Sequence, residues 1–164
     1  MKTIARLLIT SSILVLCLGL SAHAEVKVHP GAKVQLDIPS DWKVQGGKDD
    51  MVLLDANEDM IIILRVLDTT DLKKASKDAD AFINKSVEHV KWSGKPEKHD
   101  LNGMKAVVVE GTGKYKGKDV EVGAVIIITP SKKAMLVFGV MDHAKSKTLQ
   151  PQVDAFLNSI KPAA

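Results

Sequence analysis

The chain has 164 residues, a length that suits one domain with its own hydrophobic core. Its 23 Lys and Arg residues are interleaved with 20 Asp and Glu residues along the sequence. Binding to a nucleic acid requires a concentrated positive surface, so this even distribution excludes nucleic acids as expected partners.

The first 24 residues have the pattern of a cleavable secretory signal. Lys2 and Arg6 provide a positive start, residues 7–20 form an apolar run, and a small-x-small triplet ends at Ala24. The pattern predicts cleavage between Ala24 and Glu25. The apolar run is shorter than the roughly 20 residues that a membrane-spanning helix needs, although an uncleaved anchor is the alternative.

Cleavage would leave residues 25–164 as a single globular domain without a stable membrane anchor, periplasmic or secreted. Cys17 is the only cysteine and lies in the apolar run after Leu16, where a lipoprotein signal requires a small residue. The mature chain would hold 21 basic and 20 acidic residues and no cysteine. Disulfides and thiol catalysis are therefore excluded for it.

The next region alternates between strands and turns. Apolar and polar residues alternate over 34–38, which indicates a strand with one buried face, and Trp42–Val44 is a short extended piece. Met51–Asp55 and Met60–Leu67 are predicted strands, and the polar residues 56–59 between them form a hairpin loop.

A helix is predicted after these strands. Apolar residues recur at three- and four-residue steps from Leu72 to Val90, with Asp71 as the N-cap. Gly94 and Pro96 are expected to close its far end.

Strands are predicted again in the second half, and a helix ends the chain. Asn102-Gly103 is a strong hairpin signal, and Gly117 suits a tight turn over 115–118. The Pro151 position indicates that the well-formed part of the last helix starts near Leu149 or Gln150. The predicted elements are strands Glu97–Leu101, Met104–Gly111, Val120–Thr129 and Ala134–Met141, helix Lys145–Ile160, and loose ends at 26–31 and 161–164.

This order predicts an α+β fold. Short turns join successive strands, so the sheet should be largely antiparallel. The long helix follows the first strands and the C-terminal helix packs on the sheet, which gives an α/β/α-type sandwich.

Two segments resemble a known superfamily. Leu36-Asp37-Ile38-Pro39-Ser40-Asp41-Trp42 and the ending Phe156-Leu157-Asn158-Ser159-Ile160 look like the superfamily that contains the plant photosystem protein PsbP and the Mog family of Ran-binding proteins. The resemblance implies a PsbP/Mog-like fold in which Pro39 ends a strand and Trp42 fills one end of the core. It also implies a docking or assembly role, as the superfamily has in unrelated systems, although many of its exported bacterial members have no assigned activity. The resemblance transfers no catalytic or ligand residue.

Because the predicted mature chain has no cysteine, a metal site in it would use histidine ligands. His29, His89, His99 and His143 show no i,i+2 or i,i+4 pair, so each is interpreted as a solvated surface residue. His89, His99 and His143 are the candidates for a metal site assembled from distant segments, and no cofactor is expected.

Two loop motifs resemble ligand-binding loops only in part. Asp55-x-Asn57-x-Asp59 copies part of a calcium loop, but it lacks the required glycine and is interpreted as a hairpin loop. The glycines and lysines of 111–118 lack phosphate-loop spacing, while Tyr115 among them is a possible contact for an acidic partner. There is no Gly-x-Ser-x-Gly motif and no other catalytic pattern.

The sequence thus predicts an exported, non-enzymatic binding or accessory module that docks a protein or a small ligand in the cell envelope. The alternative is a metal-binding or metal-dependent periplasmic protein that uses the scattered histidines. A stress or envelope-maintenance protein is a third possibility that the sequence does not separate from the first.

Overall fold

The computed structural model describes residues 24–164, so nearly all of the predicted signal and Cys17 lie outside the described residues. The strands are β1 (Ala24–His29), β2 (Val34–Pro39), β3 (Lys43–Gly46), β4 (Asp50–Leu54), β5 (Met60–Leu67), β6 (Glu88–Trp92), β7 (Glu97–Leu101), β8 (Met104–Tyr115), β9 (Lys118–Ile128), β10 (Ala134–Asp142) and β11 (Lys161–Pro162). Eight of them form a large antiparallel sheet in the order β3-β4-β5-β10-β9-β8-β6, and β7 pairs with the same edge of β8 as β6 does.

Helix α1 (Leu72–Ser86) covers one face of the large sheet. The other face is covered by helix α2 (Ser146–Ser159) and by the small sheet β1-β2-β11. The predicted α+β sandwich is therefore confirmed. Within residues 24–164, neither helix combines the length and the apolar character needed to cross a membrane.

Each face of the large sheet has its own hydrophobic core, because successive side chains of a strand point to opposite faces. On β9, for example, Val122 and Ala124 face α1, whereas Val125 and Ile127 face the side of α2. The α1 core is completed by Ala75, Ala79, Ile83, Leu136 and Phe138, and the α2 core by Val34, Leu36, Ile38, Met60, Ile62, Leu149 and Phe156.

Pro39 and Trp42 lie where β2 leaves the small sheet. Pro39 is the last residue of β2, and its carbonyl accepts a hydrogen bond from the Trp42 amide at 3.0 Å. The Trp42 ring is buried against Phe156 of α2, with 5.8 Å between the ring centroids. This turn therefore joins the small sheet to α2.

Helix α1 is shorter than predicted. Asp71 caps it as expected, since its Oδ1 accepts hydrogen bonds from the Lys73 and Lys74 amides at 2.8 and 2.9 Å. The helix ends at Ser86, however, and the segment from Glu88 pairs with β8 as β6, so the predicted extension to Val90 is wrong. Strand pairing replaces the helix here because the otherwise unpaired edge of β8 offers this segment backbone hydrogen-bond partners.

The chain ends and the start of α2 also differ from expectation. The N-terminal entry pairs with β2 as β1, and the tail adds β11 to the other edge of β2. Helix α2 begins at Ser146, with Pro151 inside it. Pro151 lacks an N–H, so one backbone hydrogen bond is lost there. Packing of Leu149 and Phe156 on the core compensates for that loss.

Candidate functional site

A cleft of about 310 Å³ opens between α2 and the face of the large sheet beneath it. Its walls are mostly aliphatic, with methionines at one end and charged side chains at the rim. The residues that line it on this face are Met60, Ile62, Val108, Glu110, Glu121, Gly123, Val125, Val137, Gly139, Met141, Ser146, Lys147, Gln150, Val153, Asp154 and Leu157.

Two glycines form the floor of the cleft. Gly139 on β10 pairs directly with Gly123 on β9, so two neighbouring positions of the sheet have no side chain. A Cβ at Gly123 would meet no atom within 4 Å, and a Cβ at Gly139 would meet only the Gly123 carbonyl oxygen at 4.0 Å. Neither glycine has a positive φ. Glycine weakens a strand interior, so local backbone needs do not explain the pair.

The glycines of β8 have a different explanation. A Cβ at Gly111 would lie 2.4 Å from the Lys91 carbonyl oxygen, and one at Gly113 would lie 2.6 Å from Val87 Cγ1. These glycines therefore allow Val87 and strand β6, which follows it, to approach β8 closely. Only the Gly123–Gly139 pair opens onto empty space in the cleft.

Helix α2 roofs the cleft instead of filling it. Its fully buried side chains, Leu149 and Phe156, point toward the core shared with Trp42 and β2. Val153 and Leu157 are only half-buried and line the cleft. The helix is thus anchored to one side, and the space above the glycine pair stays open.

The rim of the cleft carries polar side chains with defined partners. Glu121 Oε1 lies 2.6 Å from His143 Nδ1, and the Gln150 amide donates to Asp154 Oδ1 at 2.8 Å. Glu110 and Lys147 make no ion pair or side-chain hydrogen bond with any residue in the range 24–164. The cleft therefore combines an apolar interior with a charged entrance, as small-molecule sites commonly do.

The three candidate metal ligands lie on separate elements. His89 is exposed on β6 with a φ of 53°, and His99 on β7 lies 3.6 Å from Glu97. His143 pairs with Glu121 at the cleft rim. Among the described residues, no three His, Cys, Asp or Glu side chains are close enough to hold a metal ion.

His29 is buried, so its interpretation as a surface residue is wrong. Its ring has no exposed area, its Nδ1 accepts a hydrogen bond from the Ala32 amide at 3.3 Å, and its Nε2 has no partner within the described chain. Burial lowers the pKa of His29 because the charged ring would lose its hydration. On β1 the apolar Val26 and Val28 are exposed, while His29 is buried. The polarity of the β1 residues would therefore place the valines inside and the histidine outside, which is the reverse of what is observed. Pairing with β2 decides which side chain faces the core.

The two loop motifs form hairpin turns. Asp55 accepts hydrogen bonds from the amides of Asn57 and Met60, at 3.2 and 2.6 Å, so its carboxylate caps the hairpin loop. Lys116 and Gly117 form the β8–β9 turn with positive φ values. Tyr115 lies beside that turn, at the edge of a second concavity of about 460 Å³ on the α1 side of the sheet.

Sequence reasoning did not find the glycine floor. The available signal was the position of Gly123 and Gly139, each isolated in a long apolar strand and far from any turn residue. An isolated glycine in a strand indicates a bulge or a close approach of another group. Only the strand register shows that the two glycines are neighbours.

No protein-family model matches the chain, and no curated protein sequence matches it significantly. Solved structures share its architecture, among them the three that follow. The cyanobacterial PsbP protein CyanoP from Synechocystis sp. PCC 6803 superposes with a TM-score of 0.65 at 14% identity, over 90% of this chain and 97% of CyanoP. The chain has the PsbP/Mog-like fold.

The other two structures come from a bacterium and a yeast. LpqN of Mycobacterium tuberculosis, a protein involved in cell envelope biogenesis, has a TM-score of 0.60 at 18% identity, over 84% of this chain and 88% of LpqN. The Ran-binding protein Mog1p of Saccharomyces cerevisiae has a TM-score of 0.58 at 11% identity, over 87% of this chain and 97% of Mog1p. Such low identities establish the fold and not a function.

Proposed function

We propose that this chain is a non-enzymatic binding module of the cell envelope that holds an apolar ligand in the cleft beneath α2. The observation that carries the proposal is the glycine pair, Gly123 and Gly139, which keeps an apolar cleft open on the α2 face of the sheet. A strand interior gains stability from larger side chains, so an empty floor is better explained by a ligand than by folding.

The fold and the amino-terminal pattern support the envelope setting. LpqN, which shares this fold, is involved in cell envelope biogenesis, and Mog1p is a Ran-binding protein, so the fold serves binding and envelope roles elsewhere. Cleavage before Glu25 would remove only Ala24 from the described strands and helices. The proposed mature protein is therefore residues 25–164, exported and released from its signal.

Methionine methyl groups offer a direct test of the cleft. Met60 and Met141 line it, whereas Met104 lies in the α2 core outside its lining. In a protein with ¹³C-labelled methionine methyls, titration with octanol should shift the Met60 and Met141 resonances and leave Met104 nearly unchanged. Octanol is a suitable probe because it is apolar and uncharged.

A matched pair of variants makes the test specific. Gly139→Leu should fill the cleft and abolish the octanol-dependent shifts. Gly47→Leu adds the same side chain at an exposed turn, where a Cβ meets no atom, and should leave binding unchanged. Wild-type protein that shows no Met60 or Met141 shift, or shifts that survive Gly139→Leu, would rule out the cleft as the binding site.

Export is tested separately, by expressing the full 164-residue chain in a bacterium with two membranes. The periplasmic fraction should contain a product whose amino-terminal residue is Glu25. Ala24→Arg should block processing, because signal peptidase requires a small residue there. A cytoplasmic product that retains residues 1–24 would refute the export proposal without affecting the cleft.

A further inference from the structure

The entrance of the cleft is acidic. Glu110 on β8 is directly opposite Gly123, and Glu121 lies two residues before Gly123 on the same face of β9. Diagonal neighbours of this kind are about 7–8 Å apart, so both carboxylates reach the same mouth of the cleft. Asp154 of α2 lines the cleft from the roof. Of the described residues that line it, Lys147 alone is basic.

The three carboxylates are not equally available to a ligand. Glu121 is held by His143, and Asp154 accepts a hydrogen bond from Gln150. Glu110 is exposed, and within residues 24–164 it has neither an ion-pair partner nor a side-chain hydrogen bond. Its direct cross-strand partner is Gly123, one of the two glycines of the cleft floor. Glu110 is therefore the carboxylate best placed to receive a positive charge from a molecule seated on the glycines.

The volume of the cleft indicates the size of the apolar part that it accommodates. At about 30 Å³ for a water-sized group, a cleft of about 310 Å³ has room for roughly ten non-hydrogen atoms. An anionic ligand of this size would bring its charge against Glu110 and Glu121, and these like charges repel. A cation at the same position is attracted.

We propose that the ligand of the cleft is a small organic cation, an ammonium group on an aliphatic body of about eight to ten carbons. The body lies over Gly123 and Gly139, and the ammonium group lies at the rim against Glu110, with Glu121 as the second carboxylate. This inference rests on the proposed binding function and adds the charge class of the ligand.

Three probes with the same eight-carbon chain test the charge class. Octylammonium, octanol and octanoate are titrated separately into the methionine-labelled protein, below their micelle concentrations. We expect octylammonium to have the lowest Kd, about tenfold below that of octanoate at low salt, with octanol between them. Raising the salt concentration should narrow this difference, since charges at the rim are exposed to screening.

Charge-neutralising variants locate the effect. Glu110→Gln should weaken octylammonium binding severalfold and leave octanol binding unchanged, while Lys147→Gln should weaken octanoate binding. Glu88→Gln removes the same charge from exposed β6, outside the cleft, and should leave the preference unchanged. Unfolding curves of each variant show that its fold is intact.

The outcomes separate this inference from the proposed function. Octanoate that binds as tightly as octylammonium, or a preference that Glu110→Gln leaves intact, overturns the cationic ligand while the cleft remains a binding site. If none of the three probes shifts Met60 or Met141, both the cationic ligand and the proposed function are wrong.

Discussion

The two faces of the large sheet differ in how closely a helix packs on strand β10. On the α1 face, β10 presents Phe138 and Val140, and small α1 residues such as Ala79 let the helix pack closely on them. On the α2 face, the residue between them is Gly139, and α2 spans a cleft. One strand therefore presents a filled region on the α1 face and an open cleft on the α2 face at adjacent residues, Phe138 and Gly139. Both faces contain a hydrophobic core that stabilises the fold, and the open part of the α2 face is where binding is proposed.

The largest expected effect is loss of a side chain from the filled face. Phe138 is fully buried and meets Phe82 edge to face, with 6.3 Å between ring centroids. Phe138→Ala should lower the free energy of unfolding by about 3–5 kcal/mol, because the cavity it leaves has no ligand to fill it. Urea unfolding measures this change. Gly139→Leu, one residue away, should change it by less than about 1 kcal/mol because its side chain enters empty space. Equal losses in the two variants would contradict the division into filled and open faces.

The second effect compares two glycines of neighbouring strands. Gly111→Ala should cost about 1–3 kcal/mol, since its Cβ would overlap the Lys91 carbonyl oxygen and force β6 away from β8. Gly123→Ala should instead raise the free energy of unfolding by about 0.5–1 kcal/mol, because alanine suits a strand better and the space is empty. Thermal and urea unfolding of both variants measure the difference. A destabilised Gly123→Ala variant would show that this glycine is needed by the fold and not by a ligand.

A smaller effect separates the two helices. Asp71 caps α1 through two backbone amides, and these hydrogen bonds lower the pKa of the Asp71 carboxyl because they favour its charged form. Helix α2 has no side-chain cap at Lys145. Asp71→Ala should lower the melting temperature by a few degrees. Lys145→Asp should not raise it, because the backbone of residue 145 is helical, which does not suit a cap, and the variant loses the Lys145–Asp59 ion pair at 2.6 Å. A neutral Asp71→Ala result would mean that tertiary packing alone maintains α1.

The smallest expected effect on stability at neutral pH concerns His29, the buried last residue of β1. Burial lowers the pKa of His29 from its ordinary value of 6.5, so the unfolded chain takes up the proton at a higher pH than the folded chain. The free energy of unfolding should therefore be level above about pH 6.5 and fall as the pH drops below that value. Asp50, whose pKa is lowered chiefly by the hydrogen bond from Arg65, loses its stabilising charge only below its ordinary value of 3.8.

Unfolding measured between pH 7.5 and 5 thus separates the contribution of His29 from that of Asp50. The His29→Gln variant should lose this decline, since glutamine does not titrate. A decline of the same size in wild type and in His29→Gln would assign it to other groups.

Much of the fold could be predicted because local pattern and tertiary pairing agree for most elements. The hairpins at Asn102-Gly103 and Gly117 have strong turn chemistry, and Asp71 has the side chain that an N-cap needs. Residues 88–90 differ from the predicted helix because Val87 and Val90 continue a helical spacing, while pairing with β8 decides their conformation. His29 was misplaced for a related reason, since its burial follows from which face of β1 covers the core.

The sequence by itself determined the fold class, the order of most elements and the resemblance to PsbP- and Mog-like proteins. These follow from periodicity and turn residues, which act over a few neighbouring positions. The tertiary structure alone decided the candidate site. Gly123 and Gly139 lie 16 residues apart in the chain and become neighbours only through the register of β9 and β10. The path of α2, anchored through Phe156 to Trp42, decides that the space above them stays open.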